Sequence, residues 1–139
     1  MKFWILMAVM ISGYAQAQGF QGEYAQKTEV IEYPKEEPQE ASNRVKISKI
    51  KGEWNKYLVE ITTLSYRMNV CDFAGKFVRV RGVLKSKEGE CTVQIKRVEG
   101  GVRVKARGCE EYCGHNAFLE GTGETYKRVG NGKSVKLGE

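Results

Sequence analysis

The chain has 139 residues, with 23 Lys+Arg against 17 Asp+Glu and a formal charge of +6. That length suits one domain, and a single histidine leaves little for imidazole-based catalysis. Four cysteines are an even set, which in a small chain raises the question of disulfides before that of metals.

The N-terminus answers part of it. Met1-Lys2 is a minimal positive segment, Phe3 to Ile11 is an unbroken apolar run, and Ala15-Gln16-Ala17 has the small-x-small form of a signal cleavage site. The apolar run is about nine residues, where a membrane span needs about 20. Residues 1–17 therefore read as a signal peptide cut after Ala17, which implies a periplasmic or secreted protein and not an integral membrane one. Loss of Lys2 leaves 22 bases against 17 acids, a charge of +5. In an oxidising compartment Cys71, Cys91, Cys109 and Cys113 are expected as two disulfides, with three connectivities open. Cys71–Cys113 with Cys91–Cys109 would staple a sheet along its length; Cys109–Cys113, closing a small loop, is the rival.

Residues 18–43 read as a flexible or loosely docked arm: Gly19, Gly22, Pro34 and Pro38 interrupt it, Glu36, Glu37 and Glu40 charge it, and apolar periodicity is weak. A short strand at Thr28 to Tyr33 is the one element it offers. From Arg44 the pattern has period two, with Val45 and Ile47 on one face, up to a break at Lys51-Gly52-Glu53. Lys56 to about Tyr66 alternates Tyr57, Val59, Ile61 and Thr63 against Leu58, Glu60 and Thr62, the β-branched and aromatic composition of a strand. Asp72 to Gly75 reads as a turn, Lys76 to Lys85 as a strand, and Ser86 to Gly89 as a hairpin loop. Glu90 to Glu99 and Val102 to Gly108 form a second hairpin about Gly100-Gly101. Pairing Glu99 with Val102 gathers Val93, Ile95, Val102, Val104 and Ala106 on one face, because cross-strand partners share a face. Cys91 then lies on the core side and Cys109 on the outer side, so that a direct bridge between them needs a bulge near Gly108. Asn116 to Glu120 and Thr125 to Val129 are candidate final strands, and residues 130–139 form a polar tail. The domain proper is 44–129. The fold class expected is all-β, a small antiparallel barrel or sandwich of about six or seven strands, stabilised by disulfides.

Few residues here suit catalysis. Cys113-Gly-His115 suggests a thiol–imidazole pair, but a disulfide removes the thiolate. A metal site from Cys109, Cys113 and His115 needs reduced thiols and a fourth ligand. Haem attachment needs C-x-x-C-H, and the spacing here is C-x-x-x-C. Glu110 and Glu111 are adjacent and diverge on an extended chain. No catalytic residue, metal or cofactor is expected. The informative surface is cationic: Arg103, Lys105 and Arg107 alternate along one strand, Lys96 projects with them from its neighbour, and Arg79 and Arg81 share parity on another strand. Such a face suits an anionic envelope component (lipopolysaccharide, anionic lipid, acidic glycan) or an acidic protein; it also suits an acidic arm, Glu36 to Glu40, folded back onto it. Nucleic acid is not expected for an exported chain.

Cys71-Asp-Phe73-Ala-Gly75, Gly89-Glu-Cys91, Cys113-Gly114 with Asn116, and Gly123-Glu-Thr-Tyr126 together resemble the pattern of a widespread group of small exported bacterial proteins of mostly unassigned function. The last element departs by one inserted residue, and the resemblance covers about residues 71–127. It implies a compact β-fold outside the cytoplasm and no activity. In size, export and strand content the chain is also similar to periplasmic lysozyme inhibitors. That similarity makes inhibition of a lysozyme or another hydrolase, through a loop, the alternative to partner binding through the basic face. A +5 domain and a basic lysozyme repel at long range.

Overall fold

A computed structural model describes residues 19–31, 37–65, 69–113 and 117–137; the signal segment 1–17, the Glu36 end of the acidic run and His115 lie outside them. Eight strands follow one another: β1 (Gly22–Ile31), β2 (Pro38–Lys49), β3 (Lys56–Leu64), β4 (Val70–Val80), β5 (Val83–Glu88), β6 (Cys91–Val98), β7 (Gly101–Arg107) and β8 (Tyr126–Gly130). Each pairs antiparallel with the next, and β8 returns to β1, closing a barrel. Eight strands thus replace the six or seven expected. Part of the difference lies at the N-terminus, where residues 22–31, expected within a loose arm, are β1, and β2 starts at Pro38 instead of Arg44. Their alternation is disguised because Gln26 and Asn43 are buried at inward positions where apolar residues were sought.

The inward positions fill the barrel. Tyr24, Val45, Ile47, Tyr57, Val59, Ile61, Phe73, Phe77, Leu84, Val93, Ile95, Val102 and Tyr126 are all at most 2% exposed. Eight strands enclose a space just wide enough for side chains to fill, and here aromatic rings take it. Two expectations in this region are corrected. Asp72 to Gly75 is not a turn but the middle of β4. Gly75 is there for room: a Cβ on it would press within 3.1 Å of the Phe73 ring. Lys76 to Lys85 is not one strand, because Arg81 (φ 51°) and Gly82 (φ 77°) form a two-residue hairpin turn between β4 and β5. The β6–β7 register also differs from the expected one. Val98 faces Gly101 and Ile95 faces Val104, so the turn is Glu99-Gly100 and the pairing is displaced by two residues. A displacement of two preserves the alternation, and the apolar face is the one expected, with Ala106 half-buried.

Both disulfides join Cys71 to Cys113 and Cys91 to Cys109. Gly108 makes the second one reachable: at φ 71° it turns the chain after β7, where a Cβ would collide with the Glu90 carbonyl. Cys109 is thereby brought to the core side, 7% exposed. Ser86 also points inward from β5, and its hydroxyl is buried with no hydrogen-bond partner among the described residues. Since an unsatisfied buried hydroxyl costs about 1–3 kcal/mol, Ser86→Ala is expected to leave stability unchanged or raise it by about 1 kcal/mol, by urea unfolding. A loss of more than that would show that the hydroxyl has a partner.

The two barrel ends differ. At one, Phe20 is fully buried against Tyr57, with their ring centroids 6.1 Å apart. Arg79 and Arg97 lie over its ring at 5.6 and 5.4 Å from the centroid. Arg128 donates to the Gln21 and Gly19 carbonyls and to the Tyr24 hydroxyl, at 2.8, 3.0 and 2.8 Å. Val135, in the expected polar tail, exchanges backbone hydrogen bonds of 2.8 Å with Lys49 and Lys51. At the other end, residues 108–125 join β7 to β8. The described part of the candidate strand Asn116 to Glu120, residues 117–120, is not a strand. Instead side chains hold this loop. Thr63 donates to the Phe118 carbonyl at 2.8 Å, Tyr126 to the Leu119 carbonyl at 2.9 Å, and Gln26 to the Glu124 carbonyl at 2.9 Å. Asn43 donates to Gln26 at 2.8 Å.

The loop covers an incomplete part of the wall. β7 pairs with β8 only at Gly101 and Val102, and β1 pairs with β8 only at Glu23, Tyr24 and Ala25. Among the described residues, 103–107 and 26–31 thus have no strand on the side away from β6 and β2.

Candidate binding face

The outward positions of β5, β6 and β7 follow from the register. Lys85 faces Gln94, which faces Lys105; Lys87 faces Thr92, which faces Arg107; Lys96 faces Arg103. Cross-strand partners project to the same side, so Lys85, Lys87, Lys96, Arg103, Lys105 and Arg107 share one face, and all are exposed. The remaining outward residues are Val83, Thr92, Gln94, Val98 and Gly101; no carboxylate is among them. The four ion pairs of the described residues, Lys27–Glu40, Lys46–Glu60, Lys56–Glu53 and Lys76–Glu53, all lie on β1 to β4 and their loop. Hydrogen bonding from Lys76 lowers the Glu53 carboxyl below its ordinary range, and Lys56 adds to the effect. One wall of the barrel balances its charges and the other does not.

Of the basic residues singled out by sequence, the fold brings together Lys96, Arg103, Lys105 and Arg107. It separates Arg79, which shares the inward side with its partner Leu84 and closes the barrel end over Phe20, and Arg81, which sits in the β4–β5 turn. Lys85 and Lys87 were missed, although Lys-Ser-Lys-Glu has the alternation of a strand. The cause was the Arg81-Gly82 turn: reading through it as continuous strand put Lys85 at a strand end and Lys87 in a loop.

Beside this face, the open stretch of β7 borders a groove of about 850 Å³. Ala106, Cys109, Ala117, Phe118 and Leu119 supply its apolar lining, and Arg107, Glu110 and Glu120 its charges. Phe118 is 62% exposed at its lip. Glu120 accepts a hydrogen bond from the Ala106 backbone N–H at 2.8 Å. Burial holds the Tyr126 phenol well above its ordinary range, and the nearby Glu120 carboxylate adds to that. Among the described residues no three side chains of His, Cys, Asp or Glu converge. Comparisons with protein-family models, with curated proteins and with solved structures returned no match.

Proposed function

We propose that the chain is an exported, non-enzymatic binding domain whose basic face on β5, β6 and β7 takes an anionic partner in the envelope or outside the cell. The observation that carries this reading is the uncompensated charge. Lys96 and Arg103 are directly opposed, an arrangement that destabilises a sheet, and no outward carboxylate on the three strands relieves it. An anionic ligand relieves that repulsion on binding and is steered to the face by the field of six clustered cations. Export is supported by the two disulfides, which suit an oxidising compartment, and by the Ala15-Gln16-Ala17 signal. No helix of the described residues is long and apolar enough to cross a membrane. The barrel's interior is apolar and its outer face charged, the inverse of a membrane-spanning barrel.

The test is fluorescence anisotropy with labelled polyglutamate. Binding is expected to weaken steeply with added salt, and the Arg103→Glu, Lys105→Glu, Arg107→Glu variant to weaken it by more than about tenfold, about 1.4 kcal/mol. All three side chains are exposed, so the fold is expected to persist. Binding that survives the reversal makes the face a solvated surface and sinks the proposal.

A further inference from the structure

The open edge of β7 says more about the partner, provided that the basic face binds anions as proposed. Along an antiparallel ladder, alternate residues direct their N–H and C=O toward one neighbour and then the other. The Ala106 N–H goes to Glu120, away from β6; Val104, two residues earlier, directs its backbone groups to the same side. No backbone hydrogen bond among the described residues joins 103–107 to 117–125. This edge has the hydrogen-bonding pattern of a strand that awaits a neighbour. The Glu120 carboxylate occupies the place where the carbonyl of that neighbour would stand.

We propose that β7 takes an extended acidic segment of another protein as an added strand. Side chains of a strand alternate between faces. One set would project beside Arg103, Lys105 and Arg107 on the outer face, and the other would enter the groove lined by Ala106, Ala117 and Leu119 under Phe118. The ligand is accordingly a segment that alternates carboxylate and small apolar side chains. Charge complementarity decides among occupants. A second copy pairing edge to edge would bring the same three cations of each β7 together, and like charges across a strand pair are destabilising. A polysaccharide or lipid headgroup matches the cations and leaves the free backbone groups unused, whereas a polypeptide uses both.

The experiment measures anisotropy of the whole chain with a short, end-capped peptide that alternates glutamate and valine, against polyglutamate. Two further peptides carry backbone N-methyl groups on one edge or on the other. The alternating peptide is expected to bind at least about tenfold more tightly than polyglutamate of equal charge. Methylation of one edge is expected to abolish that gain, and methylation of the other to keep it, because only one edge can face β7. Phe118→Ser, at an exposed site, is expected to weaken the alternating peptide severalfold and leave polyglutamate binding unchanged. Equal affinity of the two edge-blocked peptides, or an alternating peptide no tighter than polyglutamate, overturns the inference and leaves anion binding standing. Failure of both ligands removes the underlying function as well.

Discussion

Replacing Cys71 and Cys113 together by serine is expected to lower the unfolding free energy by about 4 kcal/mol, from the chain entropy released when a long loop is opened. The bond spans 42 residues, against 18 for Cys91–Cys109, for which the same relation gives about 3 kcal/mol. The ordering of the two is the sharper part of the expectation, and the structure reinforces it. Cys71–Cys113 ties the start of β4 to the loop that covers the incomplete wall, and Tyr112 reaches the core beside it, its ring 5.1 Å from that of Phe73. Cys91–Cys109 ties the start of β6 to the residue two beyond the end of β7, its neighbour by pairing. In urea titrations the first variant is expected to show the larger fall in midpoint. A domain of this size has about 5–15 kcal/mol in all, so the loss is a large share of it. A larger loss from the Cys91–Cys109 pair would contradict the loop-length argument.

Phe73→Ala is expected to cost about 3–5 kcal/mol, the range for emptying a buried aromatic site. Phe73 is 1% exposed. Its ring meets those of Phe77 and Tyr112 edge-on, with centroids 6.0 and 5.1 Å apart, a geometry that adds about 0.5–1.5 kcal/mol per pair beyond burial. Gly75 offers no side chain to refill the space, so collapse around the cavity is limited. Phe118→Ala is the comparison: with its ring 62% exposed, it is expected to change stability by no more than about 0.5 kcal/mol. Comparable losses from the two substitutions would mean that Phe73 is not the centre of the core.

Glycine was the least legible residue type. Gly75 looks like a turn former, yet its backbone is extended and its use is to leave room for the Phe73 ring, which leans along the same face of β4 from two residues away. Arg81-Gly82 is a true turn, but arginine at positive φ gives no sequence signal, and the apparent strand ran straight through it. Reading through it put Lys85 at a strand end and Lys87 in a loop, and ran Arg81 on as a strand residue. By contrast the β6–β7 hairpin was misplaced by two residues without changing which side chains faced inward, since a strand repeats every two residues. Lys96, Arg103, Lys105 and Arg107 therefore project to one side in either register.

The residues by themselves determined what depends on local pattern: an all-β chain, the inward set of the central strands, most of the basic face, and a short list of disulfide connectivities that included the one formed. Tertiary structure alone decided what depends on partners far apart in the chain. The first two strands are an example. Gln26 and Asn43 are polar at inward positions, and their bond to each other together with loop carbonyls and backbone amides more than twenty residues away makes their burial favourable. Closure by an eighth strand, and the short pairing that leaves residues 103–107 of β7 open, have the same origin. Alternation tells which way a side chain points; only the closed barrel tells which strand lies beside it, and where none does.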